Sequence, residues 1–403
     1  MIRILAQLFP VVAAVGVSCA LGQDIRFRRD AMNPSPVVAR ISAVGLDGVV
    51  VNDTGTAKEA VIPWDCIASV QGSFAAEAES FLAVAEKAWR ARVRVERGDL
   101  AGAEPLFEEL FALYRGRAGS MTQLVASGLF MCRVGRGAQT LAVEPFLAFT
   151  AACEGRTSTD IHQALRKDDA ADLSDRTATD DATGLSPALP PIFVGVPAVQ
   201  TQGRLGMVAF GGRAGLLGEL YQAAMRTEFE DVSLNLISEP VGEDDGVRMV
   251  WEAVASRAGD AATRAQAREK LRKRIEAQST PWVQVWCRTA LGRSLLREKD
   301  DDSQMLAVAE LLAVPAAFER VNPYLTGICL AESSRAMLFA GDKAAAISLR
   351  AKIMDRFPGH PVLEWDPMRH WNVNVRERSD LRPSPAASPA ASDSPPAAAP
   401  GGG

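Results

Sequence analysis

The chain has 403 residues, 48% of them apolar and 23% charged, which is long enough for two or three domains and apolar enough to bury a core. A formal net charge of −5 argues against a nucleic-acid-binding body. Aromatic residues make up only 6%, while Ala, Gly and Arg are plentiful, as in many GC-rich bacterial proteins.

Residues 1–22 read as a secretory signal peptide. Arg3 precedes an apolar run from Ile4 to Leu21, and Ala20 and Gly22 stand at signal-peptidase spacing, with cleavage before Gln23. Gln7 and Pro10 interrupt the run, which leaves it marginal for a membrane span of roughly 20 apolar residues. A lipoprotein signal would place Cys19 after Gly16-Val17-Ser18, where Gly16 is a poor substitute for the bulky aliphatic residue required. The expected address is therefore exported, in the periplasm or cell envelope of a bacterium, with membrane contact at most through this signal or anchor.

Residues 23–72 form a small β module. β-Branched runs at 37–44, 49–52, 60–64 and 67–70 are bounded by Gly and Asp, and predict four short strands in a meander or partial barrel. Pro63 fits only a strand end, and the step Trp64-Asp65-Cys66-Ile67 bends the chain into the last strand. A module this small has a marginal core alone and should lean on the helices that follow.

From 73 to 153 the apolar spacing becomes helical, predicting helices at 78–97, 100–114, 121–133 and 138–152. Ala103-Glu104-Pro105-Leu106-Phe107 is echoed by Val143-Glu144-Pro145-Phe146-Leu147. The prolines are tolerated if each helix starts only a few residues earlier, because the first N–H groups of a helix have no internal partner. Residues 154–200 are an irregular acidic insertion ending in prolines, with a short helix at 159–165 and an apolar stretch at 192–199 that is either a strand or an inserted loop. Helices resume across 201–361, at 213–228, 246–258, 261–278, 281–298, 303–318, 324–340 and 343–357. The C-terminal segment 362–403 includes a Pro/Ala/Ser tail from 380, too poor in apolar surface to fold and expected to be disordered.

The hairpins resemble the tetratricopeptide repeat, a pair of packed helices of about 34 residues. In 330–361 the turn residue is Gly341, the small residue of the second helix is Ala346, and Pro358 closes the unit. In 86–115 the corresponding residues are Gly98 at the turn, Ala103 as the small residue and Phe107 as the packing aromatic. Arg350 and Ile353 depart from the family pattern, and the first unit has no closing proline. The resemblance implies a mainly α, TPR-like helical-hairpin solenoid whose concave face holds a protein or peptide partner.

Chemistry has little to stand on. The 3 histidines, His162, His360 and His370, fall in no metal-ligand spacing, although His360, Asp366 and His370 lie close together near Trp365. The run 210–218 is rich in glycine but lacks the Lys-Ser/Thr of a phosphate loop and reads as a flexible lead into a helix. The acidic clusters 243–245 and 300–303 precede predicted helices and read as caps. The basic run 264–274 interleaves with Glu269 and reads as a solvated face. No CxxC occurs among the cysteines. Cys132 and Cys153 would stand roughly 20 Å apart at opposite ends of antiparallel helices, beyond the ~7 Å limit for a disulfide, so buried free thiols are expected.

Catalytic, cofactor-binding and metal-binding residues are thus all expected to be none. The expected function is a non-catalytic exported scaffold mediating protein–protein interaction. The alternative is an envelope enzyme or carbohydrate-binding protein in which Trp251, Trp282 and Trp286 line a groove; core burial is the more usual fate of tryptophan.

Overall fold

A computed structural model describes residues 24–28, 37–38, 40–52, 59–154, 179–197, 199, 210–229, 239–240, 242, 244–277, 280–298 and 300–370. The expected signal peptide, the helix at 159–165, His162 and the tail lie outside the described residues. The protein is mainly α, with consecutive packed helix pairs and a small N-terminal antiparallel β region. The chain divides into two compact units, Met1–Lys270 and Leu271–Gly403.

In the first unit the β region has two three-stranded sheets. Strand β1 (Asp24–Phe27) lies between β2 (Val37–Val38) and β6 (Ile67–Val70). The second sheet is the meander β3 (Arg40–Gly45), β4 (Gly48–Asn52) and β5 (Glu59–Ile62). The stretch expected as one strand at 37–44 gives two, Val37–Val38 and Arg40–Gly45, which pair into different sheets. A register shift between Ile41 and Ala43 bends β3 further. Pro63 ends β5, and Trp64–Cys66 forms the expected bend as one turn of 3-10 helix.

This module shares one core with the helices that follow. Trp64 is fully buried, stacks on Phe81 with ring centroids 5.2 Å apart, and donates to the Gly45 carbonyl at 2.8 Å. The predicted helix 78–97 is broken into α1 (Ala75–Glu79) and α2 (Leu82–Glu96). Small residues Ala85, Ala88 and Ala91 face the core from α2 and allow close approach. The 3-10 turn packs on α2, where the buried Asp65 carboxylate pairs with Arg92 Nε at 2.9 Å. Arg28 ties β1 to the same helix: it lies 4.6 Å from the Trp89 ring centroid and pairs with Glu86 at 2.7 Å.

Helices α3 (Leu100–Tyr114), α4 (Ser120–Gly135) and α5 (Gln139–Cys153) each pack on the one before, and α2 also touches α4. Beyond the insertion, α6 (Gly212–Thr227) packs on α5 and α7 (Asp245–Ala258) on α6. The apolar stretch left open as strand or loop is irregular and inserted. Ile192, Phe193, Val194 and Val196 are buried, and Tyr221 of α6 donates to the Leu189 carbonyl at 2.6 Å. Helix α8 (Ala261–Glu276) follows.

In the second unit α9 (Pro281–Leu295), α10 (Asp301–Ala317), α11 (Pro323–Phe339) and α12 (Lys343–Arg356) pack in the same sequential way, with α9 also touching α11. A 3-10 turn, Pro361–Glu364, then packs on α11 and leads to the short α13 (Asp366–Arg369). Among the described residues no helix is long and apolar enough to cross a membrane.

Candidate functional site

The repeat-like residues sit where one hairpin is joined and packed. Gly98, Gly137 and Gly341 all have positive φ, at 76°, 80° and 88°. After each glycine, the next amide reaches back to a carbonyl of the finished helix. The bonds are Asp99 to Arg94 at 2.8 Å, Ala138 to Arg133 at 2.8 Å and Asp342 to Met337 at 2.9 Å. This closes the helix with a left-handed residue that glycine adopts without strain. In two of the turns the following Asp caps the next helix: Asp99 accepts from the Gly102 amide at 3.0 Å and Asp342 from Ala345 at 2.9 Å. Ala138 gives the third no side-chain cap.

Ala103 and Ala346 are fully buried, and the Phe107 ring lies over Gly128 of α4, where a methyl group would overlap it. Pro358 is exposed in the turn after α12. The internal echo has a packing counterpart: Leu147 of α5 meets Gly218 of α6 as Phe107 meets Gly128. The prolines of the echo differ from expectation. Pro105 and Pro145 lie inside their helices, past the first turn, so each removes an internal hydrogen bond. The carbonyl left over by Pro145 is that of Leu141, and Arg133 Nη1 donates to it at 2.7 Å.

Trp251, Trp282 and Trp286 are 3%, 9% and 1% exposed. Lys270 lies 5.2 Å from the Trp251 ring centroid, and Trp282 and Trp286 meet edge to face at 5.1 Å. As placed they fill interiors and present no open aromatic wall.

Several of the remaining chemical candidates make structural contacts. His360 caps the 3-10 turn: its Nδ1 accepts from the Val362 amide at 3.0 Å, and its Nε2 lies 2.8 Å from the Tyr324 carbonyl. Asp244 and Asp300 cap α7 and α10 through the Val247 and Ser303 amides. In the glycine-rich run, the start of α6 is taken by Glu154, which accepts from the Ala214 amide at 2.9 Å. No disulfide joins Cys66, Cys132, Cys153, Cys287 and Cys329. Burial, joined by the charge of Glu104, pushes the Cys132 thiol up to about 12, and burial does the same to Cys329.

A recess of about 300 Å³ lies where the β3–β4 hairpin meets the α3–α4 turn. The hairpin turn is Leu46-Asp47, and both residues fasten helices. Tyr114, at the end of α3, donates to the Leu46 carbonyl at 2.7 Å. Asp47 accepts from the Ser120 and Met121 amides of α4 at 3.0 and 2.9 Å. Gly119, with φ of 140°, leaves room for that carboxylate. Burial, reinforced by Asp47, raises the Tyr114 phenol well above its ordinary range. The apolar floor is the cross-strand row Ala43–Val50–Val61, on the face of the sheet opposite the buried Val49 and Val51. Arg117 stands at the rim and Thr122 in the wall. Sequence reasoning missed this recess, because it joins segments distant along the chain; the Asp47-Gly48 turn was the one local signal.

These features define a mainly helical protein of sequential antiparallel helix pairs, consistent with a helical-hairpin repeat. No protein-family model, curated protein or solved structure matches the chain, and no family is assigned.

Proposed function

We propose that this protein is a non-catalytic scaffold of the bacterial cell envelope, of tetratricopeptide-repeat-like kind, exported by its N-terminal segment and holding a protein partner. The observation that carries this reading is the sequential packing of helices within each compact unit, with an apolar face left over at α12. There Ile347 and Met354, two turns apart on one side of the helix, are each 50% exposed. Hairpin arrays bury each unit's apolar face against its neighbours, so an uncovered apolar face on the last long helix among the described residues suits docking of another chain. The groove alternative draws no support from three buried tryptophans.

The test uses the full chain immobilised against envelope extract, beside an Ile347→Asp/Met354→Asp double variant with the same melting temperature. A defined protein retained by the first and lost from the second supports the scaffold. Retention of nothing above a bare-matrix control, or of the same proteins by both, overturns it. Export is read separately, by fractionation and by an N-terminus at Gln23 in the recovered protein.

A further inference from the structure

We propose that the recess between the β3–β4 hairpin and the α3–α4 turn binds a small aliphatic carboxylate, held by its chain on the Ala43–Val50–Val61 row and by its charge at Arg117. The argument starts from which polar groups are already engaged. The Tyr114 hydroxyl is spent on Leu46, and both Asp47 oxygens on the α4 amides, so these two are fixed walls. Two polar side chains remain. Arg117 is exposed and makes no ion pair or side-chain hydrogen bond among the described residues. Thr122 is 1% exposed, and its Oγ1 is buried with no hydrogen-bond partner among the described residues.

The charge balance favours an anion. Asp47 is held by the α4 amides, whereas the Arg117 guanidinium in the lining has no ion-pair partner among the described residues and is open to a ligand carboxylate. The floor favours an aliphatic body. Val50 and Val61 are paired across β4 and β5 on the outer face of the sheet, half-buried, with Ala43 exposed beside them. At ~30 Å³ for each water-sized group, about 300 Å³ accommodates about ten non-hydrogen atoms. A medium fatty acid and the aliphatic C-terminal residue of a peptide both have this chemistry. The site is independent of the α12 face invoked for the scaffold.

The experiment is calorimetric titration of the full chain with octanoate, N-acetyl-leucine and N-acetyl-leucinamide. The expected result is binding of one or both carboxylates and at least tenfold weaker binding of the amide. Octanoate alone assigns an acyl chain as the source, and N-acetyl-leucine alone a peptide end. Arg117→Gln should weaken the carboxylates about tenfold, to the level of the amide. Ala43→Phe, at an exposed strand position, should fill the floor and abolish binding. Amide and carboxylate binding equally, Arg117→Gln binding as tightly as the parent, or no heat from any compound at millimolar concentration overturns the proposal.

Discussion

His360 is held as a neutral ring. Its Nδ1 accepts from Val362, which leaves Nε2 as the donor toward Tyr324, and the ring stacks on Tyr324 with centroids 5.5 Å apart. Burial lowers its pKa to about 4 from 6.5, against an opposing pull from the Tyr324 carbonyl. The folded chain therefore binds fewer protons than the unfolded one between these values. The stability this group contributes is complete above about pH 6.5, and falls away as pH drops toward 4. At about 1.4 kcal/mol per pH unit the loss is roughly 3 kcal/mol. Denaturant titrations from pH 7 to 4 should show a steeper acid loss for the parent than for His360→Gln, whose amide can serve both partners without titrating. A second buried polar contact sits between α9 and α11. Arg293 Nε donates to Glu332 Oε1 at 2.9 Å, with the side chains 3% and 2% exposed. Breaking a buried pair from one side strands a charge and destabilises by about 3–5 kcal/mol, whereas removing both charges does far less harm. Glu332→Leu alone should lower the unfolding free energy by that amount, and Arg293→Met with Glu332→Leu should restore most of it in the same denaturant assay.

At the scale of elements, the helices were the legible part. Their apolar spacing and the glycines at 98, 137 and 341 place α3, α5 and α12 within a residue or two of where they lie. Two departures have physical causes. β1 was not foreseen because Asp24–Phe27 is short and mixed in character, and becomes a strand only by pairing with Val37–Val38 and Ile67–Val70, far along the chain. By local rules the prolines of α3 and α5 are tolerated only near a helix start, yet they lie past the first turn; Arg133 supplies the donor at α5, a partnership no local pattern reveals. The three glycine turns also yield a prediction. Ala138 has φ −94° and ψ 56°, close to the −81° and 66° of the capping Asp99. Ala138→Asp should therefore cap α5 and stabilise by about 0.5–1 kcal/mol, read as a higher denaturation midpoint with unchanged slope.

Across the whole molecule, the β region has no core apart from the helices, as its size implied. Ile25, Val49, Trp64 and Ile67 belong to one cluster with Phe107, Leu110 and Val125. The recess was illegible for the same reason: its floor and its wall come from parts of the chain that meet only through this shared core. Helix geometry anticipated the separation of Cys132 from Cys153, but Cys153 is half-buried where a buried thiol was expected. Gln123, near the start of α4, reaches Cys153 at the end of α5, which leaves Cys132 at the other end of the pair. Among the described residues the fold therefore stands without a disulfide. Adding a reductant should leave the melting temperature unchanged. Of the five thiols from Cys66 to Cys329, the partly exposed Cys153 should react first with an alkylating reagent under native conditions, as mass mapping would show.

The Leu46-Asp47 turn joins two helices that the chain itself connects only through Arg115–Gly119. One of its residues holds the last side chain of α3, the other the first amides of α4. A tug on this hairpin is thus felt at a single hinge point of the helical array, as at a rivet through two plates. Withdrawing it would strip the first amides of α4 and the Tyr114 hydroxyl of their partners at one stroke.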